Sequence, residues 1–163
     1  MIKLLRIDDR LLHGQVAQSW TSHYHIDQIF VINDDVMNDE FSKVTLRLAK
    51  PKNVDLQFYE ISGCATALKL ASQNEKSVMV IVERFKDAWI LHQRLPQLKE
   101  MNVGGQRNKA ETDAVQFTSS VTLLRADLDI CRALMDDGVR LEIRQIPAEK
   151  EVLITLEKAR QEG

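Results

Sequence analysis

The stretch "SVMVIVE", residues 77–83, decides the fold class. Val78 to Val82 are apolar without interruption. A strand with one wet face alternates polar and apolar residues, whereas an unbroken run is buried on both faces, as in a parallel sheet covered by helices. "QIFVIN", residues 28–33, has the same character. Further short runs with strand character are "IKLLRI" (2–7), "VDLQFYEI" (54–61), "EMNVGG" (100–105), "AVQFTS" (114–119) and "RLEIRQI" (140–146). Most are separated by helical spacing. Met37, Phe41, Val44 and Leu48 fall on one face of a helix. Ala88, Leu91, His92 and Leu95 repeat the pattern, as do Leu128, Cys131 and Met135, and then Val152, Leu156 and Ala159. Pro51 stops the second helix, and Gly138 is placed to cap the helix before the last strand. Pro147 closes that strand, and Gly104-Gly105 with "QRNKAET" reads as a polar loop. The prediction is a single α/β domain over residues 1–163, with an open, mostly parallel sheet of about seven strands and helices on both faces.

The totals agree with a globular domain. The chain has 163 residues, 44% hydrophobic and 28% charged, and a net charge of −2. That balance supplies no electrostatic reason for a nucleic-acid partner. Cys64 and Cys131 lie far apart in apolar helical segments and read as buried free thiols, which suits a reducing compartment. The start, MIKLLRIDDR, meets acids by residue 8 and is not a signal peptide. No apolar run approaches the roughly 20 residues of a membrane helix, so the chain reads as soluble.

Chemistry concentrates in "RIDDRLLHGQV", residues 6–16. On the predicted frame the first strand ends near Ile7 and a helix begins near Gly14-Gln15, with Val16 and Trp20 on its inner face. His13 then lies in the first strand-to-helix loop, beside a helix N-terminus whose free N–H groups favour anions. Gly14 permits close approach of the backbone, and Arg10 can offer a bidentate fork to a phosphoryl group. Asp8 or Asp9 could hold one imidazole nitrogen and leave the other free to attack. The set fits a histidine that takes and returns a phosphoryl group. It equally fits a polar loop residue beside a surface ion-pair cluster.

Other readings are open at this level. Asp8-Asp9 resembles in outline the acidic pocket of a receiver domain, but Asn33-Asp34, Glu60 and Glu83 do not complete that set. His23 and His25 would share a metal only if they lay in a strand. Trp20, Trp89, Phe85 and His92 read as packing residues.

"RIDDRLLHGQV" also resembles the signature of the IIB component of the mannose/fructose/sorbose class of the bacterial sugar phosphotransferase system. "VINDDVMNDEF", "LAKP", "NVGG" and "DDGVRLEIRQIP" follow in that family's order, from residue 3 to about residue 147. The resemblance implies a cytoplasmic phosphocarrier, peripherally associated with a membrane permease. It implies that His13 accepts a phosphoryl group through Nδ1 from a phosphorylated IIA protein and passes it to a sugar held by the IIC and IID membrane subunits. Arg10 would stabilise the phosphoryl group and the backbone at His13 and Gly14 would cradle it. Asp8, Arg6 and Gln15 fit the motif as loop supports, and Asn33 and Asp34 as an edge of the site. No metal or cofactor is required. The family often has Met after "NVGG", where this chain has Gln106. No IIA domain is fused to the chain, which implies a separate donor. Mannose, fructose, sorbose and N-acetylgalactosamine are all compatible sugars. The alternative is a regulatory or receiver-like anion-binding module without phosphotransfer to sugar.

Overall fold

The fold is taken from a computed structural model that describes residues 1–108, 111–155 and 157. The strands of the main sheet are β1 (Ile2–Asp8), β2 (Gln28–Ile32), β3 (Asp55–Tyr59), β4 (Val78–Val82), β5 (Glu100–Gly105), β8 (Arg140–Ile143) and β9 (Val152–Leu153), in the order β3-β2-β4-β1-β5-β8-β9. All neighbours are parallel except β8 and β9. The unbroken run Val78–Val82 becomes β4, a central strand buried along its whole length. β1 lies beside it, between β4 and β5. The expected sheet of seven strands is present, but its membership differs from the sequence reading. Val115–Gln116 (β6) and Thr122–Leu123 (β7) form a separate antiparallel pair. The seventh place belongs to β9, at Val152, where helical spacing predicts a helix; Leu156 and Ala159 of that pattern lie outside the described residues.

Helices cover both faces. α1 (Gly14–Tyr24), the short α2 (Asp34–Met37) and α3 (Glu40–Ala49) lie on one side, where Ala17, Trp20, Val36 and Leu46 pack on Ile29, Val31, Met79 and Ile81. α4 (Cys64–Gln73), α5 (Phe85–Arg94) and α6 (Arg125–Asp136) cover the other side. There Leu68, Leu91, Leu128 and Cys131 meet Phe30, Val80 and Val103 in a larger core. Cys64 and Cys131 are buried free thiols, and burial raises the Cys131 thiol well above its ordinary range. Gly138 ends α6 at φ +84, a left-handed conformation that glycine adopts without strain. No helix among the described residues is long and apolar enough to cross a membrane.

The segment around Met37 departs most from the sequence reading. Asn33 caps α2 by accepting from Val36 N–H at 2.9 Å, and Asp39 caps α3 by accepting from Phe41 N–H at 3.0 Å. Two capped helices therefore replace one continuous helix. Their apolar positions also point differently from the expectation, because Leu46 is the residue α3 buries. Phe41 and Leu48 are 79% and 83% exposed. Helical periodicity reports that a stripe exists, not that this molecule covers it.

These burials set contrasting expectations for stability. Ile81→Ala, at a fully buried position, should lower unfolding free energy by about 2–5 kcal/mol. Leu48→Ala should change it by no more than about 0.5 kcal/mol in dilute solution. Urea denaturation measures both, and a large loss at Leu48 would contradict the exposed placement.

Candidate functional site

The site forms where β1 passes into α1. β1 and β5 run in register until Ile7 pairs with Val103, and then Asp8 pairs with Gly105, so Gly104 is an extra residue opposite the end of β1. Irregularities of this kind re-aim side chains, and glycine in a strand often marks close approach by another group. Here that group is the Arg6 guanidinium. A Cβ on Gly104 would overlap it and would stand 2.6 Å from the Asp8 carboxylate. Arg6 and Asp8 are both fully buried.

Arg6 donates through Nη2 to Asp8 Oδ2 at 3.0 Å and through Nη1 to the Asn102 side chain and to the Arg144 carbonyl. Its guanidinium carbon lies 5.6 Å from the centre of the Trp20 ring. Trp20 in turn donates its indole N–H to the Gln145 carbonyl at 2.8 Å. A buried cation is thus surrounded by an anion, two oxygen acceptors and an aromatic face, which offset part of its desolvation.

Asp8 has a second set of partners. Its Oδ1 accepts from Arg10 N–H at 2.9 Å, and its carbonyl accepts from Leu11 N–H at 2.9 Å. The chain turns tightly there, and Leu11 takes a positive φ of 58. Leu11 and Leu12 are buried and anchor the loop in the core beneath α1. Asp8 Oδ2 also hydrogen-bonds His13 Nε2 at 2.9 Å. Burial would raise the Asp8 pKa, but donation from His13, the Arg6 charge and Arg10 N–H outweigh it. The carboxyl is held below the ordinary carboxylate range.

His13 is the residue that precedes α1. Its backbone is extended, its side chain makes no cap to the helix, and that side chain is 20% exposed. Because Asp8 engages Nε2, Nδ1 is the nitrogen not held by this bond. α1 carries no side-chain cap, so the N–H groups of its first turn remain available to an anion. Gly14 opens the helix at φ +35, and Gln15 follows it, exposed. Arg10 is exposed, and its guanidinium has no partner among the described residues.

Asn33 and Asp34 lie at the end of β2, which β4 separates from β1. Asn33 donates to the Glu83 carboxylate at 2.9 Å, and Asp34 accepts from Ile61 N–H at 2.7 Å. Among the described residues neither bonds to the His13 loop. His23 belongs to α1, while His25 is its left-handed C-cap, so they do not share the strand face a metal pair needs. No group of three His, Cys, Asp or Glu residues among the described residues is arranged to hold a metal. His92 is buried and pairs with Asp137 at 3.1 Å, consistent with packing.

Several contributors escape a sequence reading. Asn102, Gly104 and the Arg144 carbonyl complete the Arg6 cage from β5 and the segment after β8. Gln106 is buried and donates to the Glu83 carbonyl at 2.7 Å. Arg107 N–H donates to Asp9 at 2.8 Å, and its guanidinium pairs with the same carboxylate. The loop after β5 is therefore tied to the His13 loop. The adjacent glycines at a strand end were the one local signal of this crowding.

The family model described as "PTS system sorbose subfamily IIB component" matches residues 2–162. The fructose-specific EIIB component of Bacillus subtilis is 34% identical over 148 residues, covering 91% of this chain and 90% of that protein. Among solved structures, the IIBSor domain of the sorbose permease from Klebsiella pneumoniae superposes with a TM-score of 0.87 at 28% identity, covering 99% of this chain and 97% of that one. The N-acetylgalactosamine-specific IIB component 1 from Escherichia coli gives 0.86 at 26% identity, covering 95% and 100%.

The cage carries expectations of its own. Asp8→Asn removes one partner of a buried pair and should cost about 3–5 kcal/mol near neutral pH. Gly104→Ala should cost about 1–3 kcal/mol through overpacking. Because folding depresses the Asp8 pKa, its carboxylate contributes stability that is complete above about pH 4 and is lost as pH falls through the folded value. The stability gap between wild type and Asp8→Asn should therefore narrow in acid. Denaturation curves between about pH 7 and pH 2 measure it, and a constant gap would contradict the assigned network.

Proposed function

Because the chain belongs to the sorbose subfamily of phosphotransferase-system IIB components, we propose that it carries a phosphoryl group on His13 between a phosphorylated IIA donor and a sugar held by IIC and IID membrane subunits. On this reading residues 1–163 are one IIB domain working in the cytoplasm against a membrane permease. The reaction class is phosphohistidine–sugar phosphotransfer. The relatives' names include fructose, sorbose and N-acetylgalactosamine.

The observation that carries the proposal is the bond from His13 Nε2 to Asp8 at 2.9 Å. With Nε2–H donating to Asp8, the Nδ1 lone pair is available for attack. Nδ1 forms a bond to the phosphorus of the donor phosphohistidine, and the donor N–P bond breaks, returning its electron pair to the donor ring. Asp8 stabilises the positive charge that His13 gains, and Arg6 keeps Asp8 ionised. The Arg10 fork and the first N–H groups of α1 receive the phosphoryl oxygens. In the second transfer a sugar hydroxyl oxygen attacks phosphorus. The His13 N–P bond breaks, the electron pair returns to Nδ1, and the hydroxyl proton leaves to a base on the acceptor side. A regulatory anion-binding module would use the same pocket without turnover, and the His13–Asp8 bond favours the nucleophile.

Incubation with phosphorylated IIA should place an acid-labile phosphoryl group on Nδ1 of His13, read by mass spectrometry and phosphorus NMR. His13→Ala should abolish both labelling and sugar phosphorylation in vesicles that contain IIC and IID. Persistent label in that variant, or label on Nε2, would sink the mechanism. Arg10→Lys should slow transfer by about tenfold or more with little change in stability, because a point charge lacks the bidentate fork. A wild-type rate would remove Arg10 from the site.

A further inference from the structure

α3 carries an apolar face that nothing among the described residues covers. Phe41, Val44 and Leu48 are 79%, 50% and 83% exposed. They stand at i, i+3 and i+7, so they form one stripe along the helix. Scattered exposed hydrophobic residues are ordinary, but contiguous apolar surface on a monomer usually marks a contact. α3 lies on the stretch of chain that joins β2 to β3, and β3 is the outermost strand of the sheet.

The charges beside the stripe specify what fits. Glu40 and Arg47 are one heptad apart, so they occupy the same flank of the stripe. Both are exposed. Acids, Asp39 and Glu40, stand at the N-terminal end of α3, and bases, Arg47, Lys50 and Lys52, gather at and beyond its C-terminal end. A second α3 laid antiparallel across the stripe reverses this order. It sets Glu40 of each copy against Arg47 of the other, sets Phe41 near Leu48, and opposes the helix dipoles favourably. A parallel arrangement sets like charges together. The geometry points to a second copy of this chain as the occupant, docked through α3 about a two-fold axis near Val44.

Existing contacts permit the exchange. Glu40 pairs with Lys43 at 3.1 Å, but the Glu40 side chain is 82% exposed and such pairs contribute little. The Arg47 guanidinium lies 5.3 Å from the Phe58 ring centre, which limits its freedom before any partner arrives. One helix pair falls at the low end of specific interface sizes, below about 1,200 Å² in total, so the dimer is weak and depends on concentration. It is independent of phosphate transfer at His13.

Sedimentation equilibrium on the full chain, from about 10 μM to about 1 mM, tests this. A two-copy species should grow with concentration. Leu48→Glu should abolish it without unfolding the chain, since the side chain is exposed. Glu40→Arg and Arg47→Glu should each weaken association about tenfold, because each sets like charges together at two places. An equal mixture of those two variants should recover wild-type association, since each then supplies the charge the other lacks. A wild-type chain that stays single at the highest concentration overturns the proposal. So does association that survives Leu48→Glu, or a mixture no stronger than its components. Leu48-dependent binding to anionic lipid vesicles by a chain that does not self-associate would assign the stripe to a lipid surface instead.

Discussion

A guanidinium and a carboxylate share the dry interior at the end of β1, and much of the local structure accommodates them. Each ion alone would cost several kcal/mol to bury, and their mutual attraction recovers that only when the remaining donors and acceptors are satisfied. The cage supplies most of those partners, although Arg6 Nε–H has none among the described residues. Asn102 and the Arg144 carbonyl take Arg6 protons, while Arg10 N–H and His13 donate to Asp8. The irregular pairing of β1 with β5 and the missing side chain at Gly104 make the space. Well-packed apolar residues of similar volume often replace buried ion pairs at no loss of stability. Packing alone therefore does not account for this pair. Its distinct contribution is an ionised carboxylate beside an imidazole.

Legibility in the sequence follows the range of the forces involved. Burial on both faces is written locally, so Val78–Val82 announced a covered parallel strand. The geometry of the His13 loop is written locally too: Asp8 lies within five residues of the Arg10 N–H and the His13 imidazole that bond to it. Asn102, Gly104 and Arg144 are supplied by strands distant in sequence, and only the register of the sheet brings them to Arg6. Asn33 and Asp34 follow β2 at the same carboxyl edge of the parallel sheet as the His13 loop, with β4 between them, and they hydrogen-bond to Glu83 and Ile61.

The misread elements share a physical cause. "AVQFTS" and Val152 both have strand-compatible residues, and propensity does not say which sheet a short strand joins. Val115 and Phe117 pack into the larger core, but their segment pairs with Thr122–Leu123. Two residues at Val152–Leu153 suffice to extend the main sheet because the β8 edge offers unpaired backbone groups. In α3 the periodicity was real and its direction was not determined. A stripe lowers free energy by meeting any apolar surface, and Leu46 is the residue that α3 buries in this molecule's own core.

Two arginines four residues apart divide the electrostatic work. Arg6 is sealed by Asp8 and the sheet, so its charge is spent on a permanent partner and reaches solvent weakly. Arg10 is exposed without a side-chain partner among the described residues, so its charge stays available to an arriving anion. Exchanging their environments would undo both arrangements. An arriving anion could not reach the buried guanidinium of Arg6, and an exposed arginine would be screened too strongly to help hold Asp8 ionised in the interior. Asp8 faces both demands at once, and its position between Arg6 and His13 lets a buried charge act on a half-buried imidazole. The backbone enforces that position: Leu11 and Leu12 pin the loop from below, while the Asp9–Arg107 contact ties it from the side. A looser loop would keep every residue of the motif and still lose the orientation of His13.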